Sequence, residues 1–251
     1  MDSEKVKKIL KETELGYDFV AQKFSQNRNR FWGRVDCIRE LVKDGNRVLD
    51  FGCGDGSLLD LFSGKNIEYF GVDVSETLID QAKKRYFGEN IHPIKYPLTR
   101  GSEQFNRVNF SKIDSGQSIL PFEDNYFNVV YSIAVFHHLP SKKYREKMSR
   151  ELYRVTKPGG YIIVTVWNLW QKKYIKNIFR NWISKLLGKN SLDWNDCLID
   201  FKNDEGKIIF KRYHHAFTQG ELNKLFSEIG LTQKECQLPK NWNLVFAGRK
   251  V

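Results

Sequence analysis

The chain has 251 residues, 41% of them hydrophobic and 14% aromatic, enough for a sizeable core and too much for wholesale disorder. No apolar run approaches the roughly 20 residues that span a bilayer, and the N-terminal MDSEKVKKILKETELGYDF mixes acids with bases where a signal peptide would be apolar. The net charge of +11 is uneven: residues 1–130 carry 19 Lys/Arg against 20 Asp/Glu, residues 131–251 carry 22 against 10, which points to an anionic partner at one end or to a solvated basic face.

Residues 1–45 read as helical and contain FSQNRNRFW. RVLDF (47–51) is a short apolar strand, followed by a Gly-rich turn and a helix opening on SLLDLF. IEYFGVDV (67–74) is the next strand, and SETLIDQAKKRY a helix with Ser75 as N-cap and Glu76 in its first turn. NRVNFSKID (106–114) and YFNVVYSIAVF (126–136) read as strands. SKKYREKMSRELYRV is a helix closed by Pro158-Gly159-Gly160, and YIIVTVW is a strongly apolar strand. In QKKYIKNIFRNWISKLLGK (171–189) eight apolar residues recur at helical spacing with Lys and Arg opposite. Such a helix packs its apolar face on the domain or lies on an anionic membrane. TQGELNKLFSEIG spaces Thr218 and Glu221 as a capping box and leads into a final strand, WNLVFAG. Strands alternating with helices predict a mostly parallel, doubly wound sheet. Cys37, Cys53, Cys197 and Cys236 stand far apart with no C-x-x-C, so reduced thiols in a cytoplasmic protein are expected rather than a zinc cluster.

The sharpest chemical signal is VLDFGCGDGSLL. A strand ends in Asp50, a turn carries Gly52, Gly54 and Gly56, and a helix follows. Glycine lets backbone approach a ligand closely and adopt positive φ. Asp73 ends the next strand, where an acid can accept ribose hydroxyls. A dinucleotide fits poorly: the spacing is G-x-G-x-G rather than G-x-G-x-x-G, and Asp50 and Asp55 stand where a pyrophosphate needs bare amides. That arrangement favours an ammonium or a sulfonium, the alternative being a structural turn with incidental acids.

Over residues 45–170 the chain resembles the class I methyltransferases that use S-adenosylmethionine. The resemblance implies that the Asp50–Gly56 loop (Asp50, Gly52, Gly54, Gly56) holds the methionine part of that cofactor. Asp73, with Val74 beside it, would hold the ribose hydroxyls, and Asp114 would stand near the adenine amino group. SIAVFHHL (132–139), which includes Ser132 and His137, would run under the transferred methyl. The implied architecture is α/β and Rossmann-like: a mostly parallel seven-stranded sheet with an antiparallel C-terminal strand. One domain is expected, with an N-terminal helical substrate segment (1–45), a cofactor-binding core (46–168), a basic helical insertion after the fifth strand (169–210) and C-terminal strands completing sheet and substrate site (211–251).

Outside the core, VAQKFSQNRNRFW, SIAVFHHL, VTVW, RYHHAFTQGEL and NWNLVFAGRK, in that order, resemble the tRNA methyltransferases that esterify 5-carboxymethyluridine at the wobble position. The match falls on Phe24, Ser25, Gln26, Arg28, Trp32, His137, His138, Trp167, Arg212, Tyr213, His215, Gly220, Glu221 and Leu222. The linker 188–207 is short, His214 stands where an aromatic is common, and Asn243 interrupts the last apolar run. The resemblance implies tRNA as substrate and, in some members, a small zinc-binding activator protein as partner. Rival readings are a methyltransferase of a small or lipid-linked acceptor, and a non-catalytic cofactor-binding subunit.

KRYHHAF (211–217) then becomes a substrate wall, with Arg212 and His215 facing an anionic group and Tyr213 offering a stacking face. Adjacent histidines on a strand point to opposite faces, so this stretch alone makes no metal site. Arg28 would clamp a carboxylate or phosphate. A carboxylate acceptor is ionised at neutral pH and needs no general base, whereas a hydroxyl, amine or ring-carbon acceptor would call on His137 or His138. The cations between Lys142 and Lys189 suit phosphate neutralisation.

Overall fold

The computed structural model describes residues 1–28, 36–88, 107–202, 205–236 and 243–251, with backbone alone for 22–28, 36, 37 and 107. The side chain of Arg28, together with Trp32, the KYPLTRGSEQFN segment and Trp242, lies outside the described residues.

Helix α1 spans Ser3–Arg28 and α2 Asp36–Arg39. Five strands then alternate with helices: β1 (Arg47–Phe51), β2 (Glu68–Asp73), α3 (Glu76–Phe87), β3 (Arg107–Lys112), β4 (Phe127–Ile133), α4 (Lys142–Val155) and β5 (Thr156–Trp167). After them come α5 (Ile175–Leu186), the hairpin β6 (Asp196–Lys202) and β7 (Ile208–His215), α6 (Gln219–Ser227), β8 (Leu231–Gln233) and β9 (Asn243–Lys250). The main sheet has seven strands in the order β3-β2-β1-β4-β5-β9-β8, and β9 runs antiparallel to both neighbours. This is the expected doubly wound architecture with an antiparallel C-terminal strand.

Burial on both faces explains the continuous apolar runs of β1, β2 and β4. One face packs a core around Leu49, Val130, Phe136, Leu152 and Phe246, the other a core around Val48, Phe62, Tyr69, Tyr131 and Ile163. The helix caps are local: Ser75 accepts the Leu78 N–H at 3.2 Å and Ser141 the Tyr144 N–H at 3.3 Å.

Several expectations are corrected. SLLDLF forms a 3-10 turn, Ser57–Phe62, not the start of an α-helix. Pro158-Gly159-Gly160 lies inside β5 at a register shift between Phe127 and Val129, where a proline without an N–H is tolerated. Residues 211–215 do not complete the main sheet; β7 pairs with β6 in a separate two-stranded sheet. The insertion after β5 is therefore a helix plus a hairpin, built on Leu169, Ile178, Cys197, Ile199 and Ala216. Cys53 and Cys197 are free thiols, but Cys236 is disulfide-bonded rather than reduced.

Candidate functional site

The sheet order reverses between β1 and β4, where open α/β sheets bind ligands outside the carboxyl ends of their strands. A cleft lies there. Its floor is Phe51, Gly52 and Gly54 after β1, with Asp73 and Val74 after β2 on one side. Ile113 and Asp114 after β3 and Ala134 and Val135 after β4 complete that floor. Gly52 and Gly54 have φ of 78° and 57°. A Cβ on Gly52 would stand 2.2 Å from the Val135 side chain, so glycine is required there on two counts. Ala134 also adopts positive φ, 60°, held by its N–H to the carbonyl and hydroxyl of Thr165. That kink ends β4 and turns Phe136–His138 back over the cleft.

Asp73 is the hub of the cleft. Its carboxylate accepts the Gly54 N–H at 2.8 Å and the Ser75 N–H at 2.9 Å, which locks the glycine turn against the start of α3. Asp50 is buried and does not line the cleft; it accepts the Tyr69 hydroxyl at 2.5 Å from behind the loop. Asp55 is buried too and paired with Arg85 at 3.5 Å. Gly56 supports the turn by packing on Phe110, and Ser132 is buried within β4. Of the residues expected at the cofactor, Gly52, Gly54, Asp73, Val74 and Asp114 reach the cleft; Asp50, Gly56 and Ser132 stand behind it.

Among the described lining residues the only acidic side chains are Asp73 and Asp114, and none is a Lys or Arg. Among these residues a pyrophosphate would find no counter-charge. S-adenosylmethionine, with hydroxyls to donate and a positive sulfonium, fits this donor set.

Helix α1 forms the wall that sequence reading missed. Leu10, Thr13 and Tyr17 face the cleft one turn apart. Asp18 accepts the Ser75 hydroxyl at 2.6 Å and the Thr77 N–H at 3.1 Å, so it caps α3 from another element. Glu14 is buried between Lys11 at 3.0 Å and Lys112 at 3.4 Å. Burial opposes its ionisation, yet a hydrogen bond from Ser115, with Lys11 and Lys112 beside it, holds its carboxyl below the usual range. The i, i+3, i+4, i+7 spacing of Leu10, Thr13, Glu14 and Tyr17 was the available signal.

Beyond Tyr17 lies a group of imidazoles. The Tyr17 hydroxyl meets His138 Nε2 at 2.7 Å, and His138 Nδ1–H donates to the Tyr213 carbonyl at 3.0 Å. His137 Nδ1 accepts the Trp167 N–H at 3.3 Å, which puts its proton on Nε2. His214 donates Nδ1–H to the Arg212 carbonyl at 3.1 Å and stacks on His137 with ring centroids 5.2 Å apart. Burial drives all three rings toward the neutral form: His138 is pushed down to about 3, and His137 and His214 fall well below the ordinary histidine value. Their nitrogens lie within 4.8 Å of one another, a spacing that metal sites use. Here, however, both His138 nitrogens are already bonded and the outward nitrogen of His137 is a donor.

The KRYHHAF residues divide as strand alternation requires. His214 joins the imidazole group, while His215 points the other way, its Nδ1 2.8 Å from Asp196 and its Nε2 2.8 Å from Glu221. Tyr213 is buried and donates its hydroxyl to Asp196 at 2.7 Å, so its ring offers no exposed stacking face. Burial raises the carboxyl pKa of Asp196 and of Glu221, and His215 outweighs it, leaving both below the ordinary carboxylate range. Thr218 caps α6 through the Glu221 N–H at 3.1 Å, but the Glu221 side chain turns to His215 and leaves the capping box half made. Arg212 lies with its guanidinium 5.2 Å from the Trp167 ring centroid and 5.0 Å from that of Phe201. None of His137, Arg212, Tyr213 and His215 lines the cleft; His138 does.

Residues 49–164 match a family described as a methyltransferase domain. A tRNA (carboxymethyluridine(34)-5-O)-methyltransferase of Arabidopsis thaliana is 33% identical over 153 residues, which cover 60% of this chain and 31% of that protein. The chain thus spans less than a third of that relative's length. Among solved structures, a SAM-dependent methyltransferase of Methanosarcina mazei superposes with a TM-score of 0.64 at 21% identity, covering 86% of this chain and 97% of the other. A methyltransferase of Haloferax volcanii, solved in complex with the Trm112 methyltransferase activator, gives a TM-score of 0.59 at 18% identity over 94% of this chain and 96% of its own. At these identities the structural likeness speaks for the fold.

Proposed function

We propose that this chain is an S-adenosylmethionine-dependent methyltransferase, supported by the methyltransferase-domain match over residues 49–164, and that its acceptor is the carboxymethyl group of a wobble uridine in tRNA, converted to the methyl ester. One observation carries this reading beyond the name of the Arabidopsis relative. The imidazoles beside the cleft are buried, held in one tautomer by backbone groups, and far too weakly basic to take a proton at neutral pH. An acceptor that must lose a proton to react is badly served by such groups. A carboxylate, ionised above a pH of about 4, needs no base at all.

Bound S-adenosylmethionine supplies a methyl group on a positively charged sulfur, open to direct displacement. Alignment is then the main task left to the chain. Asp73 and the Gly52–Gly54 turn orient the cofactor, Asp114 reads the adenine side, and α1 keeps water off the cleft through Leu10 and Tyr17. Arg28 and Arg212 receive the acceptor carboxylate, the second held flat by Trp167 and Phe201. His137 and His214 hold that end of Trp167 in place, and the Asp196–His215–Glu221 array ties β7 to α6, so that His215 and Tyr213 act as supports for Arg212.

The exposed face of α4 presents Lys143, Lys147 and Arg150 at i, i+4 and i+7, a row suited to phosphates. A cytoplasmic tRNA, splayed at its anticodon, is the macromolecule this arrangement fits. A small zinc-binding activator is a further proposed partner, supported by the activator bound to the Haloferax neighbour. The test is incubation with labelled cofactor and bulk tRNA, then nucleoside mass spectrometry before and after mild alkali. An alkali-labile methyl on a carboxymethyluridine is expected. An alkali-stable methyl on ring or ribose overturns the assignment, and no transfer to any tRNA overturns the substrate class.

A further inference from the structure

Helix α5 departs from the amphipathic rule in a specific way. Its inner face is well used: Ile178 and Asn181 are buried, Trp182 packs beneath, and Asn181 donates its side-chain amide to the carbonyls of Asp193 and Trp194 at 2.9 and 3.1 Å. A helix anchored so should turn a polar face to water. Instead Phe179, Ile183, Leu186 and Leu187 are 46%, 59%, 75% and 62% exposed along one outer stripe. Lys176 and Arg180 are interleaved with them, and Lys189 follows at the end. Residues 171–189 hold six Lys/Arg and no acid.

From this we infer that the outer face of α5 docks on an anionic lipid surface, seating Phe179, Ile183, Leu186 and Leu187 among the acyl chains with the cations at headgroup level. Charge complementarity selects the partner: a run of cations without one acid favours an anionic surface. The apolar stripe selects lipid over RNA, because phosphates reward Lys176 and Arg180 but give nothing to four exposed aliphatic and aromatic side chains. The surface between these residues is open, not enclosed, which suits a flat contact. At 12 residues the helix is about 18 Å long, so it can lie in the interface but not cross it.

The experiment is cosedimentation of the full chain with vesicles of phosphatidylcholine alone and of phosphatidylcholine mixed with phosphatidylglycerol. Pelleting with the mixed vesicles only is expected. The pair Phe179→Ser with Leu186→Ser should weaken it by at least about tenfold, and so should Lys176→Glu with Arg180→Glu. Cofactor binding by each variant, measured alongside, reports that the fold is intact, and Ile183→Ala gives a milder change should the pairs misfold. Wild-type protein that stays in the supernatant with mixed vesicles overturns the inference, whatever the variants do. So does pelleting that survives the apolar pair unchanged, since the contact is then a plain polyanion contact and tRNA becomes the ligand of this face.

Discussion

At the scale of single residues, Asp73 does two things at once. Its carboxylate ties Gly54 to Ser75 and faces the cleft where ribose hydroxyls would stand. Asp73→Ala should therefore weaken S-adenosylmethionine binding by roughly 1.5–3 kcal/mol, as the loss of hydrogen bonds to a charged group does. Titration calorimetry measures it, and an unaltered affinity would remove Asp73 from the cofactor site. Arg212 makes a different demand. Arg212→Lys keeps the charge but loses the plane that lies over Trp167 and Phe201. Turnover at saturating cofactor should fall at least about tenfold, roughly 1.4 kcal/mol in the barrier, with cofactor affinity unchanged. Equal turnover of the lysine variant would reduce Arg212 to a packing role.

At the scale of elements, α4 and α1 show how a helix can be legible while its task is not. The Lys143, Lys147 and Arg150 row on α4 follows from helical spacing alone. Reversing the three to Glu should lower tRNA affinity and flatten its dependence on salt, while cofactor binding is untouched. Filter binding across a salt series checks this, and an unchanged slope would place the RNA elsewhere. Helix α1 was legible as a helix, but its seat on the cleft was not. Tyr17 reaches His138 across 121 positions of chain and Asp18 reaches Ser75 across 57. Such contacts depend on where α1 lands against α3, which no local pattern encodes. The α6 capping box fails in a related way: Glu221 is drawn off by His215, a partner from strand β7.

At the scale of the whole molecule, three buried neutral histidines and two ionised carboxylates make the fold sensitive to acid. The sign follows from linkage. His138 has a folded pKa of about 3 against 6.5 when unfolded, so the unfolded chain binds the proton first. Its contribution is fully present above about pH 6.5 and is lost as the pH falls toward 3, at up to about 1.4 kcal/mol per pH unit. His137 and His214 are shifted in the same direction and add to the slope. Asp196 and Glu221, lowered in the fold, withdraw their share only at more acid pH, below the ordinary carboxylate values of 3.8 and 4.5. Denaturant melts between pH 7.5 and 4.5, chosen above the carboxylate range, should show stability falling with pH, less steeply in His138→Gln. A flat profile would mean that these rings are not held neutral in the fold.

The sequence by itself determined whatever depends on neighbours along the chain. The glycine turn after β1, the acid at the end of β2, the alternation of strand and helix, and the opposite facing of His214 and His215 all follow from local sterics and from the periods of 3.6 and 2. Tertiary structure decided which acids face the cleft. Asp50 and Asp55 look equivalent to Asp73 in the string, yet Tyr69 and Arg85 hold them behind the loop. It also decided that β7 leaves the main sheet for β6, and that half of the apolar stripe on α5 stays in water. Each of these turns on which surfaces distant segments bring together. Burial and pairing are properties of that juxtaposition, and a residue's own spacing does not contain them.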